Sequence, residues 1–205
     1  MIEPKEIAAK LLLATSLPDE SVFGLSDIRY TTVDYYRVAC HTIFDCKRCG
    51  KCCTTGNPIR LRREDAVRIS RHFKVPVDKA VKKYTIPDGK GNLKFKVVEP
   101  CRFYDISTKG CRIYDARPWS CRIFPFLGIY GSEDKVLIHE ACPGSLEAHR
   151  ALMAALEEVQ GAQKQKELGR GDGSDETDET DKEIDKEDVK MAKEWFRALL
   201  EGLDR

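Results

Sequence analysis

Apolar positions along this 205-residue chain switch between two spacings, one of three to four residues and one of two. Ile7, Leu11 and Ala14 fall on one face behind Pro4, which suits the first turn of a helix over 1–14. The stretch 16–31 is turn-rich and polar, with Leu17, Val22, Phe23, Leu25 and Ile28 as scattered anchors. Val33, Tyr35, Tyr36, Val38, Ile43 and Phe44 make 32–44 lean towards β structure. A turn is expected over 54–58. A helix over 63–73 has Glu64 and Asp65 in its first turn and Ala66, Ile69 and Phe73 on its stripe. Pro76 breaks it, and 77–84 reads as a second short helix with Val77, Val81 and Tyr84 inward.

Gly89 and Gly91 then mark a turn, and 93–97 alternates as a strand. Two more strands, 127–130 and 135–139, flank a turn at 131–134. Pro143 opens a helix striped with Leu146, Leu152, Met153, Leu156 and Val159. The segment 169–188 is dominated by Asp, Glu, Thr and Gly, so a disordered, self-repelling linker is expected there. Over 189–203 an amphipathic helix carrying Trp195 and Phe196 is apolar enough to dock on the domain or on a protein partner. The expected architecture is α+β: a small cysteine-rich domain of short strands with flanking helices. Its divisions fall at 1–31, 32–168, 169–188 and 189–205.

Composition narrows the partners. A net charge of +1 gives no global case for nucleic acid. No apolar run approaches the roughly 20 residues of a membrane helix. The apolar run 11–14 is too short for a signal peptide and is surrounded by charge, so a cytoplasmic location is expected. In that compartment thiols stay reduced, and the nine cysteines point to metal or redox work rather than to structural disulfides.

Their arrangement carries the chemistry. Cys46, Cys49, Cys52 and Cys53 read as C-x2-C-G-x-C-C, too dense for core packing. A ten-residue repeat follows: Cys101-Arg102-Phe103-Tyr104-Asp105, Cys111-Arg112-Ile113-Tyr114-Asp115, Cys121-Arg122-Ile123-Phe124-Pro125. The first two copies suit a hairpin, and Pro118 and Pro125 make the third irregular. Cys142-Pro143 closes the set. Cys40 reads as a buried apolar residue. Adjacent side chains diverge in regular structure, so Cys52 and Cys53 are not expected to ligate the same single ion: either each serves one of two centres, or one of them is a thiol that does not ligate, beside a single cluster with spare cysteines. Cys46, Cys49 and Cys52 have the triplet spacing of a 4Fe–4S cube, with Cys142 before a proline as its remote ligand. Cys53, Cys101, Cys111 and Cys121 are left for a second centre. Tetrahedral zinc suits the same residues and is the alternative to the favoured iron–sulfur cluster. Four thiolates leave either centre at about −2, and Arg102, Arg112, Arg117 and Arg122 are candidate counter-charges. His41 and His139 are weaker donors. Asp105 and Asp115 read as turn caps, and neither a phosphate loop nor a dinucleotide fingerprint is present.

The combined pattern closely resembles the YkgJ-type cysteine-cluster family over about residues 40–150. The resemblance rests on Cys46-x2-Cys49-Gly50-x-Cys52-Cys53, Cys101, Cys111-x-Ile113-Tyr114-x2-Arg117-Pro118-x2-Cys121-Arg122-x-Phe124-Pro125 and Cys142-Pro143-Gly144. That family is described as a zinc- or iron-chelating domain. The resemblance implies metal binding through the eight cysteines, by iron–sulfur ligation in preference to zinc. Flagellin lysine N-methylases share a similar cysteine pattern, which brings a cluster-dependent protein methyltransferase into view. Three classes of function follow: a redox or electron-transfer module, such an enzyme, or a zinc-stabilised interaction module.

Overall fold

The computed structural model describes residues 2–17, 31–54, 59–96, 100–130, 135–168 and 185–204. The chain begins with helices α1 (Pro4–Ser16) and α2 (Thr32–Ile43) and a 3₁₀ turn, Lys51–Cys53. Strand β1 (Arg60–Leu61) leads to α3 (Arg63–His72) and α4 (Val77–Tyr84), then β2 (Thr85–Pro87) and β3 (Leu93–Phe95). Strands β4 (Tyr104–Asp105) and β5 (Gly110–Cys111), a second 3₁₀ turn (Tyr114–Ala116) and α5 (Trp119–Ile123) follow. The chain ends with β6 (Phe126–Ile129), β7 (Lys135–Ile138), α6 (Pro143–Leu168) and α7 (Lys186–Asp204). The fold is α+β. The expected linker falls almost wholly on 169–184, and the turns at 55–58 and 131–134 and most of 16–31 also lie outside the described residues. Among the described residues no helix is long and apolar enough to cross a membrane.

Two compact units divide the chain. One, the helical unit, comprises 1–44, 128–136 and 146–200. Ile7, Leu11 and Ala14 are buried on α1, as the spacing requires. The β reading of 32–44 is corrected here, because α2 is a helix. Its start is set by Asp34, whose carboxylate accepts the Thr31 N–H at 3.0 Å. Arg37 and the Tyr130 hydroxyl also bond that carboxylate. Val33, Tyr35, Val38, Ala39 and Cys40 are buried, so packing of a helical face outweighs the β preference of valine and tyrosine. On α7, Val189, Ala192, Phe196 and Leu200 are buried, and Phe196 meets Tyr35 at 5.6 Å. The stripe that the sequence marked as adhesive is thus engaged within the chain's own helical unit. On α6, Leu152 and Leu156 are buried, while Met153 is 40% exposed.

The other unit, 45–127 with 137–145 and 201–205, holds the eight cysteines of the motif. Its sheet runs β1-β3-β2, with Lys94 antiparallel to both Arg60 and Ile86. Its core joins Leu61, Ile69, Ala80, Tyr84, Phe95, Phe103, Ile113 and Ala116. Phe103 is the hub, with ring centroids 5.3 Å from Tyr84, 5.2 Å from Phe95 and 5.9 Å from Phe73. On α4 the buried pair is Ala80 and Tyr84, one turn apart, and Val77 is exposed instead of inward.

Candidate metal centre

The cysteine turn is built by two residues in left-handed conformation, Arg48 at φ 50° and Gly50 at φ 75°. Glycine is required at 50 twice over. Its φ disfavours any side chain, and a Cβ there would run into the Tyr104 ring. Past Gly50 the chain enters the 3₁₀ turn, where the Cys53 N–H reaches the Gly50 carbonyl at 2.9 Å. Cys52 and Cys53 sit at its end, with their sulfurs 3.9 Å apart. The divergence expected of neighbouring side chains does not occur, because this short turn is not a regular element.

The β4–β5 hairpin brings in the next two thiols. The Cys101 N–H donates to the Cys53 carbonyl at 2.8 Å, and Tyr104 pairs with Cys111 across the hairpin. The ten-residue repeat now has a physical meaning. The residue two past each cysteine is a buried apolar anchor: Phe103 at 4%, Ile113 at 1% and Ile123 at 8% exposure. The first two copies place their cysteines beside the core, where Cys101 and Cys111 pack directly. The third lies on α5, which Pro118 starts and whose Ile123 is buried. Asp105 caps its turn by accepting from the Ser107 N–H and hydroxyl. The other carboxylate of the repeat, Asp115, is exposed.

Cys53 is the centre of the group, with its thiol hydrogen-bonded to Cys101, Cys111 and Cys52. Those bonds hold the proton on Cys53 and push its pKa up. They push the neighbours down. Cys101 falls to about 6, through its bond with Cys53 and then the N–H groups of Phe103 and Tyr104, with a contribution from the Arg102 charge. Cys52 falls to about 7, through Cys53 and then the charge of Arg117. Cys111 is lowered by Cys53, the Ile113 N–H and Arg117. Burial raises Cys121, and the charges of Cys52, Cys101 and Cys111 raise it further. Five of the eight thiols therefore sense one another.

Of the four arginines, Arg117 is placed most directly. It bonds the Tyr114 carbonyl at 2.9 Å, lies 3.6 Å over the Tyr114 ring and lowers both Cys52 and Cys111. Arg102 reaches the Lys83 carbonyl and the Tyr84 ring while also favouring the Cys101 thiolate. The exposed Arg112 donates to the Arg102 carbonyl, and Arg122 is half-buried on α5. Cys46 is bonded by the Tyr114 hydroxyl. Cys49 is half-buried, and Cys142 is buried with its N–H on the His139 carbonyl at 2.9 Å. The His139 ring lies 4.8 Å from Phe124. Cys40 is in the helical unit, where burial pushes its thiol up to about 12. Spacing alone did not single out Tyr114. The available signal was its place in Tyr114-x2-Arg117-Pro118, between two cysteines.

Residues 45–143 match the model of the CxxCxxCC family, described as a "putative zinc- or iron-chelating domain". This stretch is a CxxCxxCC domain. It takes in 45–127 and most of 137–145 of the cysteine unit, together with 128–136 of the helical unit. No curated protein and no solved structure matches the chain. Among the described residues no three His, Cys, Asp or Glu side chains stand as a ready-made coordination shell. The sulfurs around Cys53 are held by thiol hydrogen bonds instead. In chemical character the donors fit a soft metal: none of the cysteines is in a disulfide, backbone N–H groups point at their sulfurs, and a guanidinium offsets their charge. The CxxCxxCC domain is a metal-binding domain.

Proposed function

We propose that the CxxCxxCC domain holds a single metal ion between Cys52, Cys53, Cys101 and Cys111. The observation that carries this reading is the sulfur contact at Cys53. A tetrahedral thiolate site with bonds of about 2.3 Å has sulfur–sulfur edges of about 3.8 Å. The Cys52 and Cys53 sulfurs are 3.9 Å apart, and Cys53 also touches Cys101 and Cys111. In a cubane each thiolate binds a different iron, so its ligand sulfurs stand farther apart. Zinc supplies a redox-inert centre that stabilises the fold, and iron in the same thiolates supplies a one-electron couple.

A second reading keeps a 4Fe–4S cluster on Cys46, Cys49, Cys52 and Cys142, as an electron-transfer centre. The triplet spacing and the Cys142-Pro143 pair favour it. Metal and acid-labile sulfide analysis of anaerobically purified protein separates the two. One ion without sulfide, lost in both Cys53→Ser and Cys101→Ser, supports the single-ion site. Brown protein containing iron and sulfide, retained in Cys101→Ser and lost in Cys46→Ser, overturns it in favour of the cluster.

A further inference from the structure

The whole-chain balance of +1 conceals a separation of charge. Residues 45–127, the bulk of the cysteine unit, hold 20 of the 35 lysines and arginines but only 8 of the 34 aspartates and glutamates. A four-thiolate metal centre, at about −2, offsets little of that excess. Part of it is gathered on one face. Phe95 is buried, so its neighbours on β3, Lys94 and Lys96, turn to the outer side of the sheet. Arg60 stands opposite Lys94 across the β1–β3 pair, next to the buried Leu61, so it shares that outer side. Like charges directly opposite one another destabilise a sheet, and these strands are only two and three residues long. The band continues onto α4 and the hairpin. Lys96 Nζ donates to the Lys82 carbonyl at 2.9 Å, Arg102 donates to the Lys83 carbonyl at 3.2 Å, and Arg112 donates to the Arg102 carbonyl. Lys83 and Arg102 share one aromatic neighbour, at 5.3 and 5.1 Å from the Tyr84 ring centroid. Among the described residues, none of these cations forms an ion pair. The carboxylates of the two adjoining turns bond their own backbone instead, Asp88 to the N–H groups of Lys90 and Asn92 and Asp105 to that of Ser107.

From this face we infer that the cysteine unit binds nucleic acid through the phosphate backbone. A band of cations that passes over a sheet, a helix end and a hairpin base fits an extended polyanion. The repulsion between Arg60 and Lys94 is relieved when phosphates stand over them. Main-chain carbonyls hold Lys96 and Arg102 in place, and the exposed Lys82 and Lys83 extend from the same edge. Contacts of this kind supply affinity and orientation without reading the bases. A bilayer surface also offers phosphate, but proteins seated on one set apolar anchors beside their cations. In the register row Arg60, Lys94, Ile86 the isoleucine is only 36% exposed. The inference holds whichever metal the cysteines carry.

The test uses the full chain as purified and fluorescence anisotropy of labelled single-stranded RNA and duplex DNA of about 20 nucleotides. With about four phosphate contacts, affinity for the duplex should fall about a hundredfold between roughly 50 and 200 mM salt. A triple variant, Lys82→Gln, Lys83→Gln and Lys94→Gln, should weaken binding at least about tenfold at the lower salt and reduce the slope of log affinity against log salt by about two to three. Its urea midpoint should not fall, because Lys94→Gln removes a like-charge pair and the two α4 lysines are exposed. Lys186→Gln with Lys190→Gln, which removes the same kind of charge from exposed positions on α7, should leave binding unchanged. Vesicles containing phosphatidylserine and polyglutamate serve as rival polyanions. No binding of either nucleic acid overturns the inference, as does binding that the triple variant leaves intact. Tighter binding to the vesicles or to polyglutamate overturns it in favour of a membrane surface or an acidic protein segment.

Discussion

Asp65 offers the sharpest test of how the site is held in place. Its side chain is fully buried and accepts three hydrogen bonds. The Arg62 N–H reaches Oδ2 at 2.8 Å, and Oδ1 takes the Trp119 N–H at 2.9 Å and an Arg68 Nη at 2.6 Å. One carboxylate thus closes the start of α3 and clamps the start of α5, which carries Cys121. The clamp has further support from the Ser120 hydroxyl on the Arg60 carbonyl and the Arg62 guanidinium over the Trp119 ring.

Asp65→Ala strands two backbone donors, at about 1–3 kcal/mol each where water cannot reach them. It also breaks a buried ion pair, a change that costs about 3–5 kcal/mol when the remaining charge stays buried. The Arg68 side chain is 24% exposed and can turn to water, so that contribution lies at the low end. These losses overlap, and about 3 kcal/mol is expected in all. Asp65→Asn keeps one oxygen for Trp119 and Arg68 and loses the Arg62 bond, for about half that cost. Urea unfolding in a Trp195→Phe background, where Trp119 is the one remaining tryptophan, reads the cysteine unit directly. Alkylation of Cys121 should rise in step. A loss below about 1 kcal/mol in Asp65→Ala, with Cys121 as protected as before, would refute the clamp.

Two further outcomes follow from the thiols and the turn that carries them. Gly50→Ala should cost about 2–4 kcal/mol, combining a left-handed backbone penalty with collision against Tyr104, and should lower metal content; stability and metal content within error of wild type would count against it. Cys101 and Cys52 have folded-state pKa values near 6 and 7, below that of a free thiol, so their contribution to stability is fully present above about pH 9 and is lost as pH falls through 7 and then 6. Urea midpoints of the metal-free protein under reducing conditions should decline over that window and flatten in Cys101→Ser, and an unchanged slope in the variant would contradict the assignment.

Much of the cysteine unit was legible in the sequence because its signals are local. Helices α3 and α4, strand β3 and the β4–β5 hairpin follow from stripes, alternation and turn residues within a few positions of one another. The helical unit was harder. Its α2 is written in valine and tyrosine; burial of one helical face outweighs their β preference, and the Asp34 carboxylate, accepting from the Thr31 N–H, Arg37 and the distant Tyr130, fixes where the helix starts. A propensity reading weighs residue types and cannot weigh a contact 96 positions away. The same blindness placed Val77 inward, where Ala80 and Tyr84 take the core.

For the site, spacing identified the cysteines but could not say how they group. Grouping depends on a turn only three residues long, and regular-structure geometry is a poor guide to so short an element. In a helix or strand, Cys52 and Cys53 would point apart and would not ligate one ion together. Here Gly50 takes a left-handed turn against Tyr104, the next residues coil as a 3₁₀ turn, and the two sulfurs arrive 3.9 Å apart. Cys53 is then presented to Cys101 and Cys111 by a backbone bond from the Cys101 N–H to its own carbonyl. On the proposed single-ion reading, the grouping of the thiolates follows from a glycine and one main-chain hydrogen bond rather than from cysteine spacing. It follows that Gly50→Ala, which alters no ligand, should disturb the Cys53 group more than the spacing of its cysteines would suggest.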